Sequence, residues 1–395
     1  MQKNVFAPAQ YLPGHTIKLV LGGEPYFAHL LQLINNAQKH LHFQVYIFDE
    51  DETGREVAEA LKKAGERGVE VFLTVDSYGS KALSSAFIAQ LQASGLHFKL
   101  FSPLPEHFYV FRLGRRMHNK VVVADHREAL VGGINISNKY RGSDREPPWL
   151  DFAVAVKGPL CADLSRLCER IYREKYFGKL KNPAAKGPAP TAGNMRSRIA
   201  LTDWFRRKNQ IGADYRAAFQ KAQHSIVIVA SYFLPSRGIR NALKNAAQRG
   251  VQITLLLPGK SDVPLAKNAN RYLYGELLEA DKIRLYEWNK SILHGKLAVV
   301  DHKWVTVGSY NLNHLSQYSS IEMNVEVLDE GFAASVEDCF ADLIGQSTLI
   351  PADRFKQDQR FYYEIFDWVS YTLARWTMLL LFFLIRREHR FKEKE

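Results

Sequence analysis

Two stretches of this 395-residue chain carry the same set of reactive side chains. Residues 117–137, MHNKVVVADHREALVGGINIS, and 293–313, LHGKLAVVDHKWVTVGSYNLN, both read H-x-K-x4-D-x6-G-[GS]-x-N. His118, Lys120, Asp125, Gly132, Gly133 and Asn135 answer to His294, Lys296, Asp301, Gly308, Ser309 and Asn311. A lone His-x-Lys is common and usually structural, but two copies sharing every spacing point to a site. Each copy offers an imidazole as base or nucleophile, a fixed cation and a neutral amide donor. Two copies facing one another suit displacement at a phosphodiester. One His attacks phosphorus in line, the other protonates the departing oxygen, and Lys and Asn stabilise the non-bridging oxygens. A covalent phosphohistidine results, released by an alcohol or water that the second His deprotonates. The scheme needs no metal and no other cofactor, because Lys120 and Lys296 supply the positive charge.

The elements that must position these groups are legible around them. The run VVVAD after His118 and Lys120 is β-branched and apolar, so it predicts a buried strand on which residues two apart face the same side. Asp125 and Asp301 complete the catalytic motif, with a supporting role at the following turn rather than contact with substrate. The Gly pair lets the backbone approach closely and returns Asn to the site. Residues 60–73, ALKKAGERGVEVFL, and 242–255, ALKNAAQRGVQITL, align at an offset of 182. Each follows an apolar strand, LHFQVYIF at 41–48 and SIVIVASYF at 225–233, which predicts duplicated α/β units with helices flanking a sheet. GKLKNPAAKGPAPTAGNMRS at 178–197 reads as a linker. The expected organisation is a first lobe at 1–177, a linker at 178–197, a second lobe at 198–355 and a tail at 356–395.

Composition narrows the partners. Hydrophobic residues are 46% and charged residues 24%, which excludes collagen-like, low-complexity or largely disordered chains. Lys plus Arg number 53 against 41 Asp plus Glu, and the net charge of +12 favours polyanions, either nucleic acid or an anionic membrane face. Three cysteines without CxxC spacing support neither a disulfide framework nor a zinc site. The N-terminus lacks the apolar run of a signal peptide. Residues 365–385, IFDWVSYTLARWTMLLLFFLI, are long enough to span a bilayer, yet Asp367 and Arg375 interrupt them. Asp367, Tyr371 and Arg375 share one helical face, and Trp376, Leu379, Leu380 and Phe383 cover much of the rest. That pattern, followed by a basic run ending at Lys394, predicts a helix lying against anionic lipid headgroups.

With both motifs in view, the chain resembles the phospholipase D superfamily, named for its paired HKD motifs, from about residue 13 to residue 350. Within it the chain looks most like the bacterial cardiolipin synthases of the shorter type lacking N-terminal transmembrane helices. GGINIS, the trailing WLDFAVAVKGP and GSYNLN leading to SSIEMNVEV carry that resemblance. It implies two tandem α/β lobes related by a pseudo-twofold axis, each a mixed sheet flanked by helices. It implies that Asp151 and Glu322 orient the catalytic imidazoles, and that Asn135, Asn311, Ser309 and Gly133 support substrate. It assigns attack to His118 and acid–base work to His294. The expected activity is transfer of a phosphatidyl group from one phospholipid to a hydroxyl of another, phosphatidylglycerol, at the cytoplasmic side of the cell membrane. Hydrolysis by the same site is the alternative, and a nuclease or DNA phosphodiesterase the more distant one. No nucleic-acid partner is expected, since the apolar tail has no use on DNA. The chain departs from the family in carrying Asn119 and Gly295 where many members have Arg. Two further stretches, EHFYVFRLGRR at 106–116 and DSYGS at 76–80, stand as candidates for the mouth of the site.

Overall fold

The computed structural model describes residues 4–102, 115–173, 191–203, 206, 208–313, 316–317, 320–353, 355 and 367–373. Most of the candidate mouth segment at 106–116, the first part of the linker and most of the tail lie outside the described residues.

The duplicated sequence units become duplicated structure. Helices Glu52–Glu66 and Arg237–Gln248 bury the stripes Val57, Leu61, Ala64 and Ile239, Leu243, Ala246. Each chain segment then turns at a glycine in the left-handed region, Gly68 with φ 88° and Gly250 with φ 93°. Nothing lies within 4 Å of where a Cβ would stand at either position, so backbone conformation rather than crowding calls for glycine there.

The first sheet orders Leu12–Leu21, Phe152–Lys157, Glu128–Gly132, Lys120–Ala124, His40–Val45, Glu70–Asp76 and His97–Phe101. The second repeats that order with Met195–Asp203, Ser320–Leu328, Trp304–Gly308, Lys296–Val300, Ser225–Ala230, Gln252–Pro258 and Ile283–Trp288. In both, the last three strands run parallel and the other pairs are antiparallel, giving two mixed sheets. Helices Glu24–Asn36 and Glu52–Glu66 pack on one face of the first sheet; Gln210–Lys221, Arg237–Gln248 and Pro264–Leu278 pack on one face of the second. The remaining faces meet in a shared apolar layer, where Val121, Val131 and Val154 join Leu297, Val307 and Val325. Burying each such side chain contributes about 1.5–3 kcal/mol, so the seam between lobes is a core in its own right.

Helix Leu160–Arg173 adds to this layer and buries Cys161 and Cys168, the former thiol pushed up to about 12 by burial. The strand Leu12–Leu21 serves both sheets. Thr16–Leu21 pairs with Phe152–Lys157, whereas Leu12 and His15 pair with Ser197 and Met195 across a break in register. Val5 and Tyr11 sit in the core of the second lobe, so the chain's first described residues belong there by packing.

Residues 367–373 are helical and dock on the helix Pro264–Leu278. Asp367 is buried with its carboxylate 3.8 Å from Arg271, and Tyr371 stacks on Tyr272 at 4.8 Å. Trp368 and Val369 are exposed. Among the described residues no helix is long and apolar enough to cross a membrane.

Candidate active site

The two motifs meet at the seam because each enters its lobe by pairing with a segment of the opposite lobe. Arg116–Met117 runs parallel to Ser320–Ile321, and His118 N donates to Ile321 O at 3.0 Å. Glu322 therefore stands beside His118. In the other direction Leu293 bridges Leu150 in parallel, and His294 N donates to Leu150 O at 2.8 Å. Asp151 therefore stands beside His294. The outcome is a crossing: Nδ1 of His118 donates to Glu322 Oε2 at 2.9 Å, and Nδ1 of His294 donates to Asp151 Oδ2 at 2.6 Å. An ionised carboxylate only accepts, so each imidazole holds a proton on Nδ1 and leaves Nε2 for reacting groups; the Lys296 ammonium lies 3.0 Å from Nδ1 of His294.

Local sequence fits each half of this crossing. A Cβ at Gly133 would lie 2.4 Å from Asp151 Oδ1, so the glycine makes room for the short acid. Ser309 occupies the matching position and donates its hydroxyl to Glu322 Oε2 at 2.5 Å. Between His and Lys, Asn119 donates to Gln44 at 2.8 Å, while Gly295 lets the Phe152 ring approach to 2.4 Å from a would-be Cβ. Asn119 is thus fixed within the first lobe, and Gly295 stands at the seam between the two.

Lys120 and Lys296 are buried, and each ammonium donates to the carbonyl of its own motif His. Burial lowers Lys120 to about 7 and Lys296 to about 8, against the pull of Glu322 and Asp151. His118 is also lowered by burial, with Glu322 opposing and Lys120 and Lys296 assisting. His294 is lowered well below its ordinary value by burial, Lys296 and Lys120. Asp151 is raised to about 6 by burial, with Lys296 opposing. Burial disfavours an imidazolium beside each acid, so the resting site holds neutral imidazoles. Charge from each lobe thus reaches the imidazole of the other.

Asp125 and Asp301 are placed elsewhere. They end the strands that start at Lys120 and Lys296, roughly 16 Å of extended chain away at about 3.3 Å per residue. Asp125 accepts from the amides of Gln38, Lys39 and His40, and Asp301 from those of Gln223, His224 and Ser225. Both have positive φ, 51° and 52°. Both carboxylates staple the turns that follow their strands to these amides. Asn135 is likewise engaged within the protein, accepting from Ile47 N at 3.0 Å and donating to Tyr140 OH at 2.7 Å. Asn311 accepts from Ser231 at 2.7 Å.

Some residues at the site have no counterpart in the repeat. Tyr46 stands edge-on to His118 at 4.9 Å, with the Lys120 ammonium 5.2 Å from its ring. Tyr140 stands edge-on to His294 at 5.3 Å, and Tyr232 lies 6.4 Å from the same ring. Asp76, the first residue of DSYGS, is buried; it accepts from Met117 N at 2.9 Å and pairs with Arg116 at 3.3 Å, pinning the strand that delivers His118. A buried Asp at a strand end was the available signal for it.

A family model described as "Cardiolipin synthase, PLD-like domain" matches residues 30–150 and again 215–344, one match per lobe. The chain is similar to cardiolipin synthase B of Salmonella typhi, 32% identical over 336 residues covering 84% of this chain and 81% of that protein. It is similar to cardiolipin synthase B of Escherichia coli K12, 32% identical over 330 residues covering 82% and 79%. A cardiolipin synthase of Halalkalibacterium halodurans is 28% identical over 359 residues, 89% of this chain and 70% of that one. Among solved structures, the phosphatidylserine synthase of Haemophilus influenzae Rd KW20 superposes with a TM-score of 0.74 at 13% identity, covering 94% and 96% of the two chains. That likeness concerns the fold.

Proposed function

The chain belongs to the cardiolipin synthase family of phospholipase D-like proteins, and from that premise we propose that it transfers a phosphatidyl group between phospholipids through a covalent phosphohistidine. The observation that carries the chemistry is the crossed pair of His–carboxylate contacts around two buried ammoniums. In the reading, Nε2 of His118 attacks the phosphorus of a bound phospholipid. The bound anionic phosphodiester draws a proton from solvent onto His294 Nε2, and this imidazolium gives that proton to the departing headgroup oxygen. A hydroxyl of a second phospholipid, phosphatidylglycerol, then loses its proton to His294 and displaces His118. Lys120 and Lys296 hold the extra charge on the non-bridging oxygens throughout. Glu322 and Asp151 keep each ring in the useful tautomer.

The protein works at the membrane surface in this proposal. The described turns of the tail turn their polar residues, Asp367 and Tyr371, towards the second lobe and leave Trp368 and Val369 outward, which supports contact with lipid. The test is incubation with phosphatidylglycerol in mixed micelles. Cardiolipin and glycerol are the expected products; phosphatidic acid alone would replace transfer with hydrolysis, and DNA cleavage without lipid turnover would remove the lipid reading. Deleting residues 360–395 is expected to move the protein from the membrane to the soluble fraction.

A further inference from the structure

The two walls of the site differ in chemistry although the lobes repeat. On the His118 side, Tyr46 and Lys120 form an aromatic and cationic wall, and the nearby Asp76 is consumed by Arg116 and the amides of Tyr78, Gly79 and Met117. On the His294 side the loop between strand Gln252–Pro258 and helix Pro264–Leu278 carries Asp262, which is exposed. The Tyr232 hydroxyl lies 2.8 Å from both Asp262 oxygens, and its ring lies 6.4 Å from His294. After burial and the two ammoniums, Asp262 is the next influence on His294, acting in the opposite direction, so its charge reaches the reacting imidazole. Val263 and Leu265 beside it are exposed apolar residues.

An ionised carboxylate offers about four acceptor sites, and one phenol proton leaves most of them open. Both sides carry a buried ammonium, Lys120 and Lys296, that draws the phosphate, so what sets the His294 side apart is the Asp262 carboxylate, which repels an anionic group from that rim. A neutral polyol is the opposite case, since adjacent hydroxyls donate well to one carboxylate.

We propose that Asp262, held in place by Tyr232, binds the hydroxyls of the incoming alcohol on the His294 side and so selects glycerol-type acceptors over simple alcohols. The inference rests on the transfer reading above. In the step it governs, the acceptor O–H proton passes to His294 Nε2 and the oxygen forms the new P–O bond. The P–N bond to His118 breaks and its electron pair returns to that nitrogen. Asp262 takes no proton; a second hydroxyl of the acceptor donates to it.

A competition assay tests this. Phosphatidylglycerol micelles receive equal concentrations of deuterated glycerol and ethanol, and mass spectrometry reads labelled phosphatidylglycerol against phosphatidylethanol. Being a ratio within one tube, the readout is insensitive to partial loss of folded enzyme. Asp262→Ala is expected to lower the glycerol-to-ethanol product ratio about tenfold, as for loss of a charge-assisted hydrogen bond at a partly screened position. Tyr232→Phe, which keeps the carboxylate but frees it, is expected to lower the ratio less. A ratio within twofold of wild type in both variants overturns the assignment of Asp262. Cardiolipin without either alcohol product overturns a polyol site at Asp262, whereas formation of neither cardiolipin nor the alcohol products by the wild-type enzyme overturns the transfer reading instead.

Discussion

Asp151 and His294 lie in opposite lobes, 143 positions apart, yet the His294 Nδ1–H donates to the Asp151 carboxylate over 2.6 Å. Glu322 and His118 repeat the relationship in the other direction over 204 positions. Each half of the molecule carries the other half's positioning residue, and the parallel pairings of Met117 with Ile321 and Leu150 with Leu293 set that exchange.

Asp151→Asn and Glu322→Gln keep the shape but present an NH2 group that can donate to the ring. The imidazole then turns its lone pair inward, and turnover is expected to fall roughly 10²- to 10⁴-fold. Lipid turnover measured alongside thermal melting checks this; a loss in turnover matched by a loss of folded protein would place the effect in packing instead.

The roles of the two histidines separate under a donor with a good leaving group, such as a p-nitrophenyl phosphatidyl ester. Such a donor needs no proton from His294, so His294→Asn is expected to release one equivalent of nitrophenol and retain phosphorus label stable to base. His118→Asn is expected to give neither. The reverse pattern would exchange the roles.

The buried ammoniums predict an alkaline limb. Lys120 and Lys296, held down to about 7 and about 8 by burial, are charged below those values and lose their protons as pH rises through them. Because kcat/KM reports the free enzyme, it is expected to fall between about pH 7 and pH 8. The limb in kcat lies higher, since bound phosphate favours the charged form. A kcat/KM that climbs steadily to pH 10 would refute the cationic role.

Gly133→Ala places a methyl group 2.4 Å from Asp151 Oδ1. The carboxylate must shift away from His294, and a cost of about 1–3 kcal/mol in stability is expected together with reduced turnover. Denaturant unfolding and the lipid assay read the two effects. Full turnover would mean that Asp151 tolerates displacement.

Asp125→Ala removes the acceptor for three amides, those of Gln38, Lys39 and His40, and leaves Ala at a φ of 51°. Stability is expected to fall by about 2–4 kcal/mol, while Asp125→Asn, which tolerates that φ, loses less. Denaturant midpoints of the two variants check the ordering.

The repeat made the lobes and the paired His and Lys legible, because equal spacing in two copies survives without any structure. The strand after Lys120 and the helix ending at Gly68 follow from local pattern alone. The crossing of Asp151 and Glu322 does not: no local spacing says which imidazole a distant acid will meet, and the register of Met117 on Ile321 decides it. Asp125 sits in the motif by sequence but points its carboxylate at turn amides, since a strand's length separates it from Lys120. Tyr232 and Asp262 were out of reach for a further reason. They belong to one lobe only, so comparison of the halves passes over them.

The distance in sequence between His118 and Glu322 is also a distance in time. A ribosome adds roughly 5–20 residues per second, so the 204 positions between them take on the order of 10–40 s to make. Throughout that interval the nascent first lobe holds its histidine and lysine without the carboxylate that sets the ring. The site therefore stays incomplete until the second half of the chain has emerged and closed on the first.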